Sequence, residues 1–151
     1  MRHLNTLIAA AALAIVPVLD GARADTAQNL RIFRGVCLAQ APAFDEAAIQ
    51  RAAGQEAYSA RSLSDLATLQ WRPGQQCSLG VRASSSAAPV ITAAEVEPMV
   101  VELFNRLGGG KFTMKRVTKK GIRYRMQTPA GRFEISFSTD RSGQTFYATK
   151  I

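Results

Sequence analysis

The sequence has 151 residues, a formal net charge of +8 and a single histidine, His3. His3 lies in a segment predicted to be removed, so the remaining chain has no imidazole, which excludes hydrolases with a histidine-containing triad and histidine-based metal sites. No catalytic signature, metal-ligand cluster or nucleotide-binding loop occurs, and neither a metal nor a cofactor is predicted.

Residues 1–24 have the pattern of a cleaved secretory signal: Arg2 near the start, an apolar run over residues 7–19, and small residues at Ala22 and Ala24. A membrane anchor is the alternative, but thirteen residues interrupted by Pro17 are shorter than the ~20 needed to span a bilayer. We predict cleavage after Ala24, no transmembrane anchor in the mature chain, and a single domain over residues 25–151 in the periplasm or outside the cell.

Two cysteines remain, Cys37 and Cys77. Export through an oxidising compartment predicts that this pair forms a structural disulfide. Closing a loop of this length would stabilise the fold by about 4 kcal/mol if chain entropy dominates. A redox-active pair is the alternative, although such pairs normally have closely spaced cysteines.

Helical spacing of Leu30, Phe33 and Cys37 predicts a first helix over residues 26–39. A second helix is predicted over residues 44–53, ended by Gly54. Phe33, Phe44 and Ile49 are expected to face the core, and residues 56–66 fit either a helical turn or a strand.

Alternating residues at 68–71 and 77–81 predict a hairpin with Leu69 near Leu79 and Trp71 near Cys77. Trp71 is interpreted as a core residue, with a ligand platform as the alternative. After a small-residue loop, Thr92 and Glu95 form a predicted capping box for a third helix that runs to Leu107. Pro98 either kinks this helix or marks its true start.

Four alternating runs, at residues 112–117, 122–128, 132–139 and 144–150, predict an antiparallel meander. In the two later hairpins, the apolar residues meet when Met126 is opposite Phe133 and Phe137 is opposite Phe146. The first hairpin brings Met114 against Tyr124 only if a three-residue loop at 118–120 precedes Gly121. The fold class is therefore α+β, with helices packed on the apolar face of the sheet.

The opposite face of this predicted sheet is polar and basic. Its predicted members are Thr113, Lys115, Val117, Arg123, Arg125, Gln127, Arg132, Glu134, Ser136, Tyr147 and Thr149. Arg125 falls opposite Glu134 in this register, so we predict a cross-strand ion pair between the two. Residues 25–104 have six arginines against eight acidic residues, whereas residues 105–151 have eleven Lys and Arg against two.

The order helix, helix, hairpin, helix, meander, with Phe33 one helical turn before Cys37 and a second cysteine opening a later strand, resembles small exported proteobacterial proteins of unknown function. This resemblance implies no activity and no functional residues.

The predicted function is non-enzymatic binding of an anionic envelope lipid, a glycan or an acidic protein. The candidate binding residues are Lys115, Lys119, Lys120, Arg123, Arg125 and Arg132. A charged face that is merely solvated is the alternative, because exposed sheet faces are often charged. Specific nucleic-acid binding is not expected, since only Tyr147 among the aromatics shares the basic face. A small carboxylate-dependent hydrolase, and a protein inhibitor or assembly subunit, are the other candidate functions, and the oligomeric state is left open.

Overall fold

The computed structural model describes residues 20–59, 67–82 and 89–151, with the side chains of residues 20–25 and 56–59 left out. These residues form an α+β fold in which one antiparallel sheet is packed against helices. In chain order the elements are α1 (Asp20–Val36), a 3₁₀ turn (Leu38–Gln40), α2 (Glu46–Ser59), β1 (Ala67–Arg72), β2 (Gln76–Arg82), α3 (Ala93–Arg106), β3 (Lys111–Thr118), β4 (Gly121–Thr128), β5 (Gly131–Asp140) and β6 (Gly143–Lys150).

The helix boundaries differ from the predicted ones at the start of the first helix and at the end of the second. Residues 1–19 of the predicted signal segment lie outside the described residues, and α1 already begins at Asp20. The predicted stop at Gly54 is wrong, because α2 continues to Ser59. A glycine inside a helix costs only about 1 kcal/mol relative to alanine, so it does not have to end the helix.

The predicted capping box at the start of α3 is present. The Glu95 carboxylate accepts hydrogen bonds from the backbone N–H and the hydroxyl of Thr92, each at 2.7 Å. These bonds set the start of α3 at Ala93, and Pro98 lies inside the helix instead of opening it. The buried stripe of α3 consists of Val96, Met99, Val100 and Leu103.

All neighbouring strands in the sheet are antiparallel, in the order β1, β2, β6, β5, β4, β3. The predicted pairs Met126 with Phe133 and Phe137 with Phe146 are confirmed. In the β1–β2 hairpin, Leu69 pairs with Leu79 and Trp71 with Cys77, also as predicted. Trp71 is half-buried and packs against the core. The pairing of β2 with β6 joins that hairpin to the meander.

The predicted register of β3 is correct at Phe112, which pairs with Met126, but is wrong from Met114 onward. Thr118 pairs with Gly121, so the connection to β4 has two residues instead of three. The extra residue is accommodated at the other end of the strand, by a bulge between Phe112 and Met114. Consequently Lys115 pairs with Tyr124, whereas Met114 turns to the other side of the sheet.

The side of the sheet that α1 and α3 cover, hereafter the inner face, carries the core. Phe33 of α1 contacts the rings of Phe137 and Phe146, with centroid distances of 5.8 and 5.6 Å. All three rings are fully buried, as are the predicted inward residues Phe44 and Ile49. The core therefore forms between α1, α3 and the central strands of the sheet.

The Cys37–Cys77 disulfide is present, with an S–S distance of 2.02 Å. It connects the residue after α1 to β2, and both cysteines are fully buried. A buried disulfide fits a protein that resides outside the reducing cytoplasm.

Candidate anion-binding face

The other side of the sheet, hereafter the outer face, is polar and strongly basic. Its side chains in β1 and β4 are exposed, which shows that the face is open there. The strand registers place two carboxylates on this face: Glu134 near its centre, and Asp140 at the end of β5, where it accepts hydrogen bonds from the β5–β6 turn. They also place six arginines there: Arg72, Arg82, Arg116, Arg123, Arg125 and Arg132.

Glu134 lies at the centre of the outer face and is only 8% exposed. Its carboxylate accepts hydrogen bonds from Arg125 Nε at 2.6 Å and from the Tyr147 hydroxyl at 3.1 Å, and Arg123 Nε lies 3.5 Å away. Burial alone would raise the pKa of Glu134, but these hydrogen bonds and the two arginine charges outweigh it and hold the pKa below its ordinary value. Glu134 is therefore ionised at neutral pH and neutralises only part of the arginine charge.

The predicted binding residues fall into three groups, of which the third is Lys115 alone. Arg123, Arg125 and Arg132 lie on the outer face, as predicted, and the predicted pair of Arg125 with Glu134 is confirmed. Lys119 and Lys120 form the turn between β3 and β4.

Lys115 does not belong to the outer face. The bulge in β3 turns its side chain to the inner face, where it pairs with Glu97 of α3. The hydrogen bond from Lys115 is the main reason why the pKa of Glu97 is lowered. Tyr124 donates a hydrogen bond to the same carboxylate at 3.5 Å, and its burial and the Glu97 charge raise its pKa to about 12. Lys115 therefore links β3 to α3 through its ion pair with Glu97.

Three arginines of the outer face were not among the predicted binding residues. Arg116 changes faces with the same bulge, because a one-residue slip inverts every side chain of a strand. Arg72 and Arg82 reach this face because β2 pairs with β6 and extends the sheet. Sequence patterning gives no signal for a pairing between such distant segments.

No protein-family model, curated protein or solved structure matches the chain. Functional assignment therefore depends on the arrangement of its own residues.

Away from the outer face, a cavity of about 380 Å³ lies between α1 and α3. Its floor includes Leu38, Met99 and Leu103, and its only carboxylate is Glu102. Arg34 approaches Glu102 to 2.6 Å, and this hydrogen bond lowers the pKa of the carboxyl group. Glu102 is thus an ionised ion-pair partner and a poor proton donor at neutral pH.

The remaining candidate chemistries find little support in the described residues. Carboxylate-dependent hydrolysis uses two acids on either side of the substrate. Among the cavities that the described residues line are one between α1 and α3, which contains a carboxylate, and two on the outer face, which contain none. Within residues 20–59, 67–82 and 89–151, no group of three His, Cys, Asp or Glu could hold a metal ion. Over the same ranges, no helix is both long enough and apolar enough to span a bilayer.

Proposed function

We propose that this chain is an exported, non-enzymatic domain whose outer face binds an anionic component of the cell envelope or an acidic protein. The observation that carries this proposal is the presence of six arginines against two carboxylates on one open sheet face. The residues at its centre are Arg123, Arg125 and Arg132. Glu134 holds the first two in position, and Arg132 has no ion-pair partner among the described residues.

The chemistry of arginine favours this type of partner. A guanidinium group presents a planar fork of N–H donors that matches the oxygens of a carboxylate or phosphate. Several such groups on one surface attract an anionic partner over a distance of about 10 Å at moderate ionic strength. Lipid headgroups, envelope glycolipids and acidic polymers carry suitable groups. Binding through the outer face is therefore expected to weaken as salt is added.

The proposed location is the periplasm or the extracellular space. The predicted signal segment and the buried disulfide both support export. Sequencing the N-terminus of the protein after expression in a secretion-competent host tests this part. A mature chain that begins at Asp25 is expected, and a chain that retains residue 1 would contradict export by cleavage.

Binding through the face is tested with a triple substitution that leaves the Glu134 cluster intact: Arg72→Gln, Arg82→Gln and Arg132→Gln. The matched control removes three exposed cations that lie off the outer face: Arg51→Gln, Arg141→Gln and Lys150→Gln. Both variants lose the same net charge. Each basic residue near an anionic membrane contributes about 1 kcal/mol to binding, so the outer-face variant should lose tenfold or more in affinity.

Co-sedimentation with phosphatidylglycerol vesicles, at two salt concentrations, measures this difference. The control variant should retain most of the binding. Equal losses in the two variants would show that overall charge, and not the outer face, determines the attraction.

An assembly subunit is the second candidate function, and the edge strand β3 favours it. Val117 is 57% exposed and Phe112 is 39% exposed, and an edge strand presents unpaired backbone donors and acceptors. Val101 on the neighbouring part of α3 is also exposed. Against this function, the bulge and the charges of Lys111 and Arg116 are features that discourage strand pairing.

A further inference from the structure

A hollow of about 190 Å³ indents the outer face where β3, β4 and β5 lie side by side. Its lining combines three cationic side chains with three hydroxyl groups. The polar and cationic lining residues are Arg116, Thr118, Lys120, Arg123, Ser136 and Ser138. The hollow exceeds the ~30 Å³ that one water molecule occupies in the liquid, so it has room for a small polar group.

The positive charge of the hollow is incompletely neutralised. Arg116 pairs directly across the β3–β4 ladder with Arg123, and like charges in this position are destabilising. Arg116 makes no ion pair within the described residues. Arg123 reaches Glu134 only at 3.5 Å, whereas Arg125 holds the same carboxylate at 2.6 Å. An anion bound between Arg116 and Arg123 would relieve their repulsion.

Ser136 supplies a hydroxyl group that is not otherwise used. The residue is only 5% exposed and lines the hollow, yet its Oγ has no hydrogen-bond partner among the described residues. The other two hydroxyls differ from it, since Ser138 donates to the carbonyl of Thr145 at 3.2 Å and Thr118 to that of Gly121 at 3.1 Å. Among the described residues, Asn29 Oδ1 is the one fully enclosed side-chain oxygen without a partner, so Ser136 Oγ is still accessible and can bond to a molecule that enters the hollow.

Gly121 lines the hollow at the point where β4 begins. A Cβ atom at this position would lie 2.2 Å from the carbonyl oxygen of Phe137, so the close approach of β4 and β5 requires glycine.

We propose that this hollow binds a phosphate monoester, held by Arg116, Arg123 and Lys120 and by a hydrogen bond from the Ser136 hydroxyl. The proposal rests on the proposed function and names its ligand class. A monoester suits the hollow because it carries almost two negative charges at pH 7 and offers three terminal oxygens. Arginine forks and a lysine ammonium provide matching charge-assisted donors. Lipid headgroups and small soluble molecules both carry such monoesters, and the vesicle experiment below separates the two sources.

The first experiment titrates the isotopically labelled protein with inorganic phosphate and with glycerol phosphate, at fixed ionic strength, and follows backbone amide resonances. Saturable shifts confined to Gly121, Ser136, Ser138 and their neighbours are expected. The second ionisation of a phosphate monoester lies near pH 6, so affinity should rise as the pH increases through this value. Shifts spread evenly over all arginine-bearing strands, or no saturable shift, would overturn the proposal.

Two pairs of variants test the assigned contacts. Arg116→Gln should weaken phosphate binding about tenfold or more, whereas Arg132→Gln, on the same face but outside the hollow, should change it less than twofold. Ser136→Ala should weaken binding a few fold. Its control is Ser78→Ala, which alters the same row of the outer face two strands away. Equal effects within either pair would contradict the assignment of that contact and overturn the site.

The source of the monoester is determined with vesicles that contain phosphatidic acid, a monoester, or the same fraction of phosphatidylglycerol, a diester. A lipid ligand is indicated if Arg116→Gln weakens binding to the first kind of vesicle far more than to the second. A soluble ligand is indicated if both vesicles respond equally while the phosphate titration still localises to the hollow. The two proposals can fail separately. If the hollow does not bind phosphate, the Arg72, Arg82 and Arg132 variant should still lose affinity for phosphatidylglycerol vesicles. If the outer face does not bind vesicles, the phosphate titration should still localise to the hollow.

Discussion

The two faces of the sheet differ in what their side chains do. On the inner face, Phe137 and Phe146 are fully buried and each packs against Phe33 of α1. On the outer face, Arg123 and Arg125 remain nearly half exposed although both approach Glu134. Burial of apolar area stabilises the fold, whereas exposed ion pairs contribute little. Substitutions on the inner face should therefore change stability, and those on the outer face should change binding.

Phe137→Ala should have the largest effect, because it leaves a cavity where two other rings meet. A loss of about 3–5 kcal/mol in the free energy of unfolding is expected and can be measured by denaturant titration. Phe112→Ala is the control: this ring stacks on Phe104 at 4.4 Å but is 39% exposed, so its loss should be clearly smaller. Equal losses would contradict the division between a packed core and a half-open edge.

Removing the disulfide by Cys37→Ser together with Cys77→Ser should lower the free energy of unfolding by about 4 kcal/mol, since the closed loop spans 40 residues. The double variant should still bind phosphate with wild-type affinity under conditions where it is folded, because both cysteines lie on the inner side. Loss of phosphate binding by a variant that circular dichroism shows to be folded would mean that the two faces are coupled.

Glu134→Gln tests an exception to this division between the faces, because Glu134 lies on the outer face and its ion pairs also stabilise the fold. Stability should fall by about 1 kcal/mol as the ion pairs are lost, while phosphate affinity should rise because Arg123 is released. The pKa of Glu134 is lowered in the folded state, so its contribution is present above its ordinary pKa and is lost as the pH falls through the lowered value. Wild type and variant should therefore converge in stability in acid, as denaturant titrations at several pH values would show. A constant difference down to pH 2 would contradict this role.

Val117→Lys should have the smallest effect on folding, within about 0.5 kcal/mol, because the side chain is mostly exposed. The informative measurement is the molar mass by light scattering over a range of concentrations. A wild-type oligomer that the substitution converts to monomer would favour the assembly function of β3. An unchanged mass would favour the outer face as the functional surface.

The sequence predicts the register of β4 and β5 because a one-residue slip would expose three apolar pairs at once. It does not determine β3, where Met114 and Val117 lie an odd number of residues apart, so each frame places one on the inner face and the other on the outer face. The position of the bulge decides between the frames, and both ends of the strand can accommodate an extra residue.

The same physical limit applies to the outer face. The positions of Arg123, Arg125 and Arg132 on the outer face are predicted correctly because they belong to strands with a fixed register. Arg116 depends on the bulge, and the unused hydroxyl of Ser136 depends on its neighbours in space. Arg72 and Arg82 depend on a pairing between distant parts of the chain, which local periodicity does not encode.

The strand order has a consequence for how the chain reaches its native state. Every ladder except that of β2 with β6 joins strands that are consecutive in sequence, so the hairpin and the meander each contain mostly local contacts. We expect the hairpin and the meander to form early and the β2–β6 ladder to form late, since loop-closure entropy delays contacts between distant segments. Until β2 pairs with β6, β6 is an exposed edge strand of aromatic and β-branched residues. At that stage the nascent chain is most prone to pair with another chain.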